Sequence, residues 1–246
     1  MNAATTYLIG CNISDNSAKG VCGGIYNFDK EDDGVNPTHL FIYNSTVARN
    51  ATSSSWGGGG GAYLRESSHT QIVNSTFYDN NGGVGGAIRV YADSGKETYV
   101  DILSSTFYKN SAIGKGGGIE TQPSTTVKIH NSVITGNTAS NGADVLLSDN
   151  TTTFSYVTLG DKILDKDGNE VDGQTFDHTS MISSMATNGT CMITGSSPAA
   201  TLGMNSTLLQ SLGNSLIPPV NNDIITKDQL GVSRSGKTVM GAVVPN

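Results

Sequence analysis

The chain has 246 residues, of which only 14 % are charged, against ~25 % in an ordinary soluble domain. Gly, Ser, Thr and Asn make up 108 of them, a composition that suits turns and β structure and excludes a mainly helical protein, while the 36 % of hydrophobic residues are placed too regularly for disorder. The net charge of −7 comes with no basic cluster, which excludes nucleic acid as a partner, and no apolar run approaches the ~18 residues of a membrane-spanning helix.

From the N-terminus onward, five segments share the pattern small-x-apolar-x-x-Asn. They are Cys11–Asn16, Ser45–Asn50, Ser75–Asn80, Ser105–Asn110 and Ser132–Asn137. Their closing asparagines lie 34, 30, 30 and 27 residues apart. Each is followed by a glycine-led signature: Gly23-Gly24-Ile25, Gly60-Gly61-Ala62-Tyr63, Gly85-Gly86-Ala87-Ile88, Gly117-Gly118-Ile119 and Gly142-Ala143-Asp144-Val145. Two linked motifs recurring five times are the signature of a repeat architecture.

Counting back from each asparagine defines the faces. Eight before it stand Leu8, Ile42, Ile72, Ile102 and Ile129; three before it stand Ile13, Val47, Phe77, Phe107 and Ile134. Alternation within a strand puts these on one buried face, and the change of parity between them marks a corner six before the asparagine. The column nine before, Tyr7, Phe41, Gln71, Asp101 and Lys128, reads as outward and variable. A unit of this size cannot bury its own inner face, so successive units stack and their equivalent strands run parallel. Asn16, Asn50, Asn80, Asn110 and Asn137 are then expected to form one internal file, amide to amide. Among the glycosylation sequon matches, Asn44 and Asn74 sit in a repeat column, six before the asparagine, that already explains them. By the same register Ile88, Ile119 and Val145 point inward, and Arg89 and Glu120 point outward within ion-pair reach.

The stretch 29–36 reads as an inserted loop. Residues 151–178 read as strand, turn, strand, with Asp165-Lys166-Asp167-Gly168-Asn169 an Asp-Gly turn; a calcium loop would need glutamate where Phe176 stands. Beyond about 179 the repeat is lost. Residues 1–150 are expected to form five coils, and 151–246 the final coils and a loop-rich cap over the open edge, in the same domain. Of Cys11, Cys22 and Cys191, a Cys11–Cys22 bridge and free buried thiols are both open readings.

No motif for nucleotide, metal or nucleophilic chemistry is present, and neither cofactor nor metal is expected. Stacking brings Asp101 beside Lys128 with His130 two residues on, the candidates for acid–base work on a polysaccharide, or else a surface ion pair. Asp32-Asp33 is the nearest approach to a carboxylate pair. Tyr78 and Tyr108 share an outward position, and Trp56 precedes five glycines; all three are candidate ligand-binding residues.

The Phe-x-x-Asn and Gly-Gly-Ala-Ile pair, over roughly residues 5–150, resembles the polymorphic outer-membrane protein repeat of bacterial surface proteins. Ser197-Pro198-Ala199-Ala200, Asp228-Gln229-Leu230-Gly231-Val232-Ser233-Arg234 and Gly241-Ala242 resemble, in that order, the closing segment of bacterial surface β-helix proteins. The resemblance implies an all-β, right-handed parallel β-helix displayed outside the cell. Val243-Val244 replaces the usual acidic residue after Gly-Ala, and no export signal is visible, so a piece of a longer surface protein is expected. The favoured function is a non-catalytic adhesin or stalk binding glycan or a surface protein; the alternative is a polysaccharide lyase or glycoside hydrolase.

Overall fold

The computed structural model describes residues 4–29, 37–148, 152–171, 182–185, 190–193 and 195–245. Successive coils stack into a parallel β-solenoid. The first sheet aligns Thr5–Ile9, Thr38–Tyr43, Ser68–Val73, Thr98–Leu103, Thr125–His130 and Thr153–Ser155; the second aligns Asn12–Ser14, Thr46–Ala48, Thr76–Tyr78, Thr106–Tyr108, Val133–Thr135 and Thr158–Leu159. Two-residue strands form a short third sheet. The fourth runs from Ile25–Phe28 through Ala62–Arg65, Ile88–Tyr91, Ile119–Thr121 and Val145–Leu147 to Ile163–Asp165. All these neighbours pair in parallel, and the register is the repeat register: Ile42 opposite Ile72, Phe77 opposite Phe107, Ile88 opposite Ile119.

The coil turns where the residue pattern changes. Gly10, Asn44, Asn74, Ser104 and Asn131, each six before the asparagine, all have positive φ. So do Asp15, Arg49, Asp79, Lys109 and Gly136, immediately before it. Asn, Asp and Gly enter this left-handed region at the least cost, which is why they dominate the two corners. Inside, the apolar columns form one continuous core, with the Phe77 and Phe107 rings stacked at 5.1 Å.

The asparagine file forms as the spacing predicts. Asn16 Nδ2 donates to Asn50 Oδ1 at 2.8 Å, Asn50 to Asn80 at 3.0 Å, Asn80 to Asn110 at 2.9 Å and Asn110 to Asn137 at 2.9 Å. From Asn50 on, each Nδ2 donates a second time, to the carbonyl of Ile13, Val47, Phe77 or Phe107. The file ends on Asp144, whose Oδ1 accepts from Asn137 and whose Oδ2 accepts from the Gly160 and Asp161 amides. Beside it runs a hydroxyl file, in which Ser45, Ser75, Ser105 and Ser132 Oγ each accept the amide of the equivalent residue one coil earlier.

The C-terminal part differs from the expected end cap. Ile163–Asp165 and Glu170–Val171 form the foreseen hairpin, with Gly168 at φ +84° and Asp165 accepting from the Asp167 and Asn169 amides. Val171 packs onto the core there. Residues 195–245, however, lie along the side of the coils. Met204, Leu209, Leu216, Val220 and Ile225 pack on Phe41, Tyr43, Val73 and Leu103 of the first sheet. The column predicted as outward is therefore outward but covered in its middle: Phe41 and Gln71 are buried, whereas Tyr7 and Lys128 remain exposed.

The polar columns of the solenoid receive this side clasp. Gln229 Nε2 donates to Thr46 Oγ1, and Thr76 Oγ1 donates to Gln229 Oε1. Asn74 Nδ2 donates to the Lys227 carbonyl at 2.8 Å, Asn131 Nδ2 to that of Val239 at 3.0 Å, and the Ala242 amide to Thr106 Oγ1 at 2.9 Å. The Asp228…Arg234 motif organises the clasp. Asp228 accepts the amides of Leu230, Val232 and Val244. Arg234, 1 % exposed, donates to the Lys227, Val239 and Gly241 carbonyls and to Asn74 Oδ1. Val243 and Val244 are buried, which fits apolar residues where an acid was expected. The three cysteines are all free thiols.

Candidate functional site

Two stretches of the outer surface gather side chains with chemistry. The first lies at the start of the first sheet. Strand register stacks His39, His69, Tyr99 and Thr126 along the axis, eleven before the repeat asparagines. The His39 and His69 rings are 5.7 Å apart, and Tyr99 stands edge-on to His69 at 6.3 Å. His69 Nε2 meets Asp101 Oδ2 at 3.1 Å. Burial and the neighbouring His69 hold the His39 imidazole below the usual histidine range. The loop before Thr98 adds Lys96 and Glu97. His69, Tyr99, Lys96 and Glu97, with Ser67 and Thr126, line a groove of about 730 Å³ along the corner of the coils.

The three acid–base candidates lie near one another, but Asp101 and His130 each bond to other side chains. Asp101 and Lys128 are directly opposite in register, but the ion pair of Asp101 is with His69. His130 shares a hydrogen bond with Ser155, and burial holds its imidazole below the usual range. His69 was the partner that sequence reasoning missed. Its signal was available: it stands eleven before Asn80, and Asp101 nine before Asn110, which makes them diagonal neighbours on adjacent strands. Asp32, Asp33 and His178 lie outside the described residues.

The second stretch is the outer side of the fourth sheet. Tyr26, Tyr63, Arg89 and Glu120 stack in register, with Phe28, Arg65 and Tyr91 alongside. Arg65 lies 5.2 Å from the Phe28 ring and 5.1 Å from that of Tyr91; Arg89 lies 5.2 Å from both Tyr63 and Tyr91. Ile88, Ile119 and Val145 face the core as the register requires. Arg89 Nε comes within 3.3 Å of Glu120 Oε2, so the expected pair exists, although the two are not aligned for a hydrogen bond. The pair is not open to solvent, because Glu120 is fully buried. The loop at Gly116 closes over it so tightly that a Cβ there would lie 2.6 Å from that of Glu120. Burial raises the Glu120 carboxyl above the usual range.

Of the ligand-binding candidates, Tyr78 and Tyr108 sit on the second sheet, apart from both stretches, whereas Trp56 borders the second. Tyr78 and Tyr108 stack on adjacent coils at 6.0 Å and 36°, with Lys109 Nζ 5.2 Å from the Tyr108 ring. Both rings are half-buried. Trp56 is 91 % exposed, and its carbonyl accepts from Arg89 at 3.5 Å. Among the described residues no group of three His, Cys, Asp or Glu is arranged to hold a metal ion. Nor is any helix among them long and apolar enough to cross a membrane.

With this geometry in place, comparison with known families is direct. The model of the right-handed beta helix region matches residues 1–159, well over half of the chain. The chain belongs to the right-handed β-helix family. No curated protein and no solved structure matches it. As a right-handed β-helix it presents long outer faces on a rigid frame, and the fold alone leaves open whether those faces bind or catalyse.

Proposed function

We propose that the chain is a non-catalytic module of the bacterial cell surface, of adhesin or stalk type, related to the polymorphic outer-membrane repeat proteins. It binds glycan or protein along an extended face of the β-helix. The observation that carries this reading is the file of Tyr78 and Tyr108, two half-buried rings with polar tips repeated at the spacing of the coils. Rings of this kind add contact area at little entropic cost and suit distributed contacts with a long partner. The repeat motifs and the Ser-Pro-Ala, Asp-x-x-Gly-x-x-Arg and Gly-Ala segments support display outside the cell by their likeness to bacterial surface proteins.

The test replaces Tyr78 and Tyr108 together with alanine. Adhesion of cells displaying the chain, or retention on immobilised glycan or surface protein, is expected to fall while the melting temperature stays nearly constant. A collapse of stability would make the tyrosines structural. Release of reducing or unsaturated ends from a polysaccharide by the purified protein, abolished by Lys128→Ala or His69→Ala, would replace the binding reading with a polysaccharide-active enzyme.

A further inference from the structure

We infer that the corner groove beside His69 is a distinct binding site for a short run of a neutral polysaccharide, with Tyr99 as its stacking platform; this rests on the surface-module reading and gives it a specific ligand class. The groove's volume of about 730 Å³ lies within the ~300–1,000 Å³ of small-ligand sites, and it runs along the solenoid axis rather than into the core. Its lining combines one broad ring with hydroxyls and an imidazole, which is the chemistry that recognises sugar. Tyr99 is 42 % exposed, and its hydroxyl is tied back to Glu97, so the ring is fixed in place with its face available for a pyranose. Ser67, Ser124 and Thr126 supply groups that both donate and accept hydrogen bonds. His69 reaches the groove, and Asp101 holds it from behind at 3.1 Å. With Nε2 engaged by the carboxylate, Nδ1 is the ring nitrogen left to hydrogen-bond a sugar hydroxyl. Asp101 is thus a positioning residue.

The charges select against acidic sugars. Among the described residues lining the groove, Lys96 and Glu97 are the two with a formal charge, and these charges cancel. Asp101 stands directly behind His69, and the chain as a whole carries −7. A uronate polymer would meet this field without a surplus of cations to compensate it. A neutral sugar meets no such penalty.

The test is isothermal titration of the whole chain with neutral hexasaccharides (gluco-, manno- and xylo-configured) and with hexagalacturonate at pH 7. At least one neutral hexasaccharide is expected to bind, and hexagalacturonate to bind at least tenfold more weakly. Tyr99→Ala is expected to cost about tenfold in affinity, the size of a lost stacking contact. His69→Ala is expected to weaken binding by a similar factor, and Thr126→Trp, which fills the groove from an outward position, to abolish it without relying on the other two variants' folding. The Tyr78 and Tyr108 double alanine variant is expected to keep hexasaccharide affinity while losing adhesion. Wild-type affinity in both Thr126→Trp and Tyr99→Ala, with adhesion still dependent on Tyr78 and Tyr108, would overturn the groove and leave the surface module standing. Preference for hexagalacturonate would overturn the ligand class. Absence of binding to every hexasaccharide would overturn the site, and loss of adhesion in the tyrosine variant would then decide the module separately.

Discussion

The coils and the side clasp are held by opposite arrangements of polar contacts. In the coils one bond is repeated: asparagine to asparagine and serine to backbone amide, each rung sharing its neighbours with the rungs on either side. In the clasp one residue makes many bonds: Arg234 alone joins several carbonyls of its own segment to Asn74 of the solenoid. The difference implies two modes of failure. A file can lose a rung and keep its direction, because the flanking rungs and the apolar columns still define the register. A hub that is lost leaves several buried acceptors unpaired at once, with no repeat to restore them.

The largest expected effect therefore belongs to the clasp. Arg234→Met removes every donor at the hub while keeping much of its volume, and is expected to cost about 3–5 kcal/mol. Residues 195–245 should become the first site of limited proteolysis while the coils keep their far-ultraviolet β signal. Equal loss of both regions in a single transition would break the comparison, since it would mean that the clasp and the coils are one cooperative unit.

Next comes the file. Asn80→Ala takes the side-chain acceptor from the buried Asn50 backbone amide, one of the two acceptors from Asn50 Nδ2 and a donor from the Val47 carbonyl, an expected cost of about 2 kcal/mol in denaturant unfolding. Asn16→Ala, at an exposed position on the first coil, is expected to cost less than about 1 kcal/mol. The contrast between inner and outer rungs sharpens the picture of shared bonds; equal costs would refute it.

A smaller effect depends on pH. Burial pushes the Asp144 carboxyl up to about 7, against the pull of the N–H groups that point at it. Its folded pKa thus lies above its unfolded value, so the folded chain holds a proton that the unfolded chain has released between about pH 4 and 7. Stability from this group is complete below that window and is lost as the pH rises through 7. Asp144→Asn is expected to be less stable at acid pH, because its NH2 faces the Gly160 and Asp161 amides, and to lose part of the decline in melting temperature between pH 5 and 8. An unchanged decline would remove Asp144 from the account. The smallest effect is at the surface corner, where Arg49 pairs with Asp15 through two bonds of 2.7 Å, both side chains well exposed. Arg49→Ala is expected to change stability by no more than about 0.5 kcal/mol, and less in high salt.

What the sequence by itself determined is everything that repeats. The spacing of Asn16 to Asn137 placed the internal file, the columns of isoleucine and phenylalanine placed the core, and the parity change placed the corner at Asn44, Asn74 and Asn131, because a two-residue alternation and a stacking distance are local rules applied coil after coil. What only the tertiary structure decided is where non-repeating residues land on that frame. Nothing in Gln229 or Arg234 announces Thr46 or Asn74, which lie far away in the chain; their pairing depends on the clasp folding back along the side rather than over the end. That choice turned Phe41 and Gln71 from surface into core. Asp101 was legible as an outward neighbour of Lys128, yet its partner became His69, since side chains on adjacent strands also meet on the diagonal. Periodicity specifies the position of each backbone segment, whereas the reach of individual side chains, and the segment that comes to cover them, are fixed only once distant parts of the chain pack together.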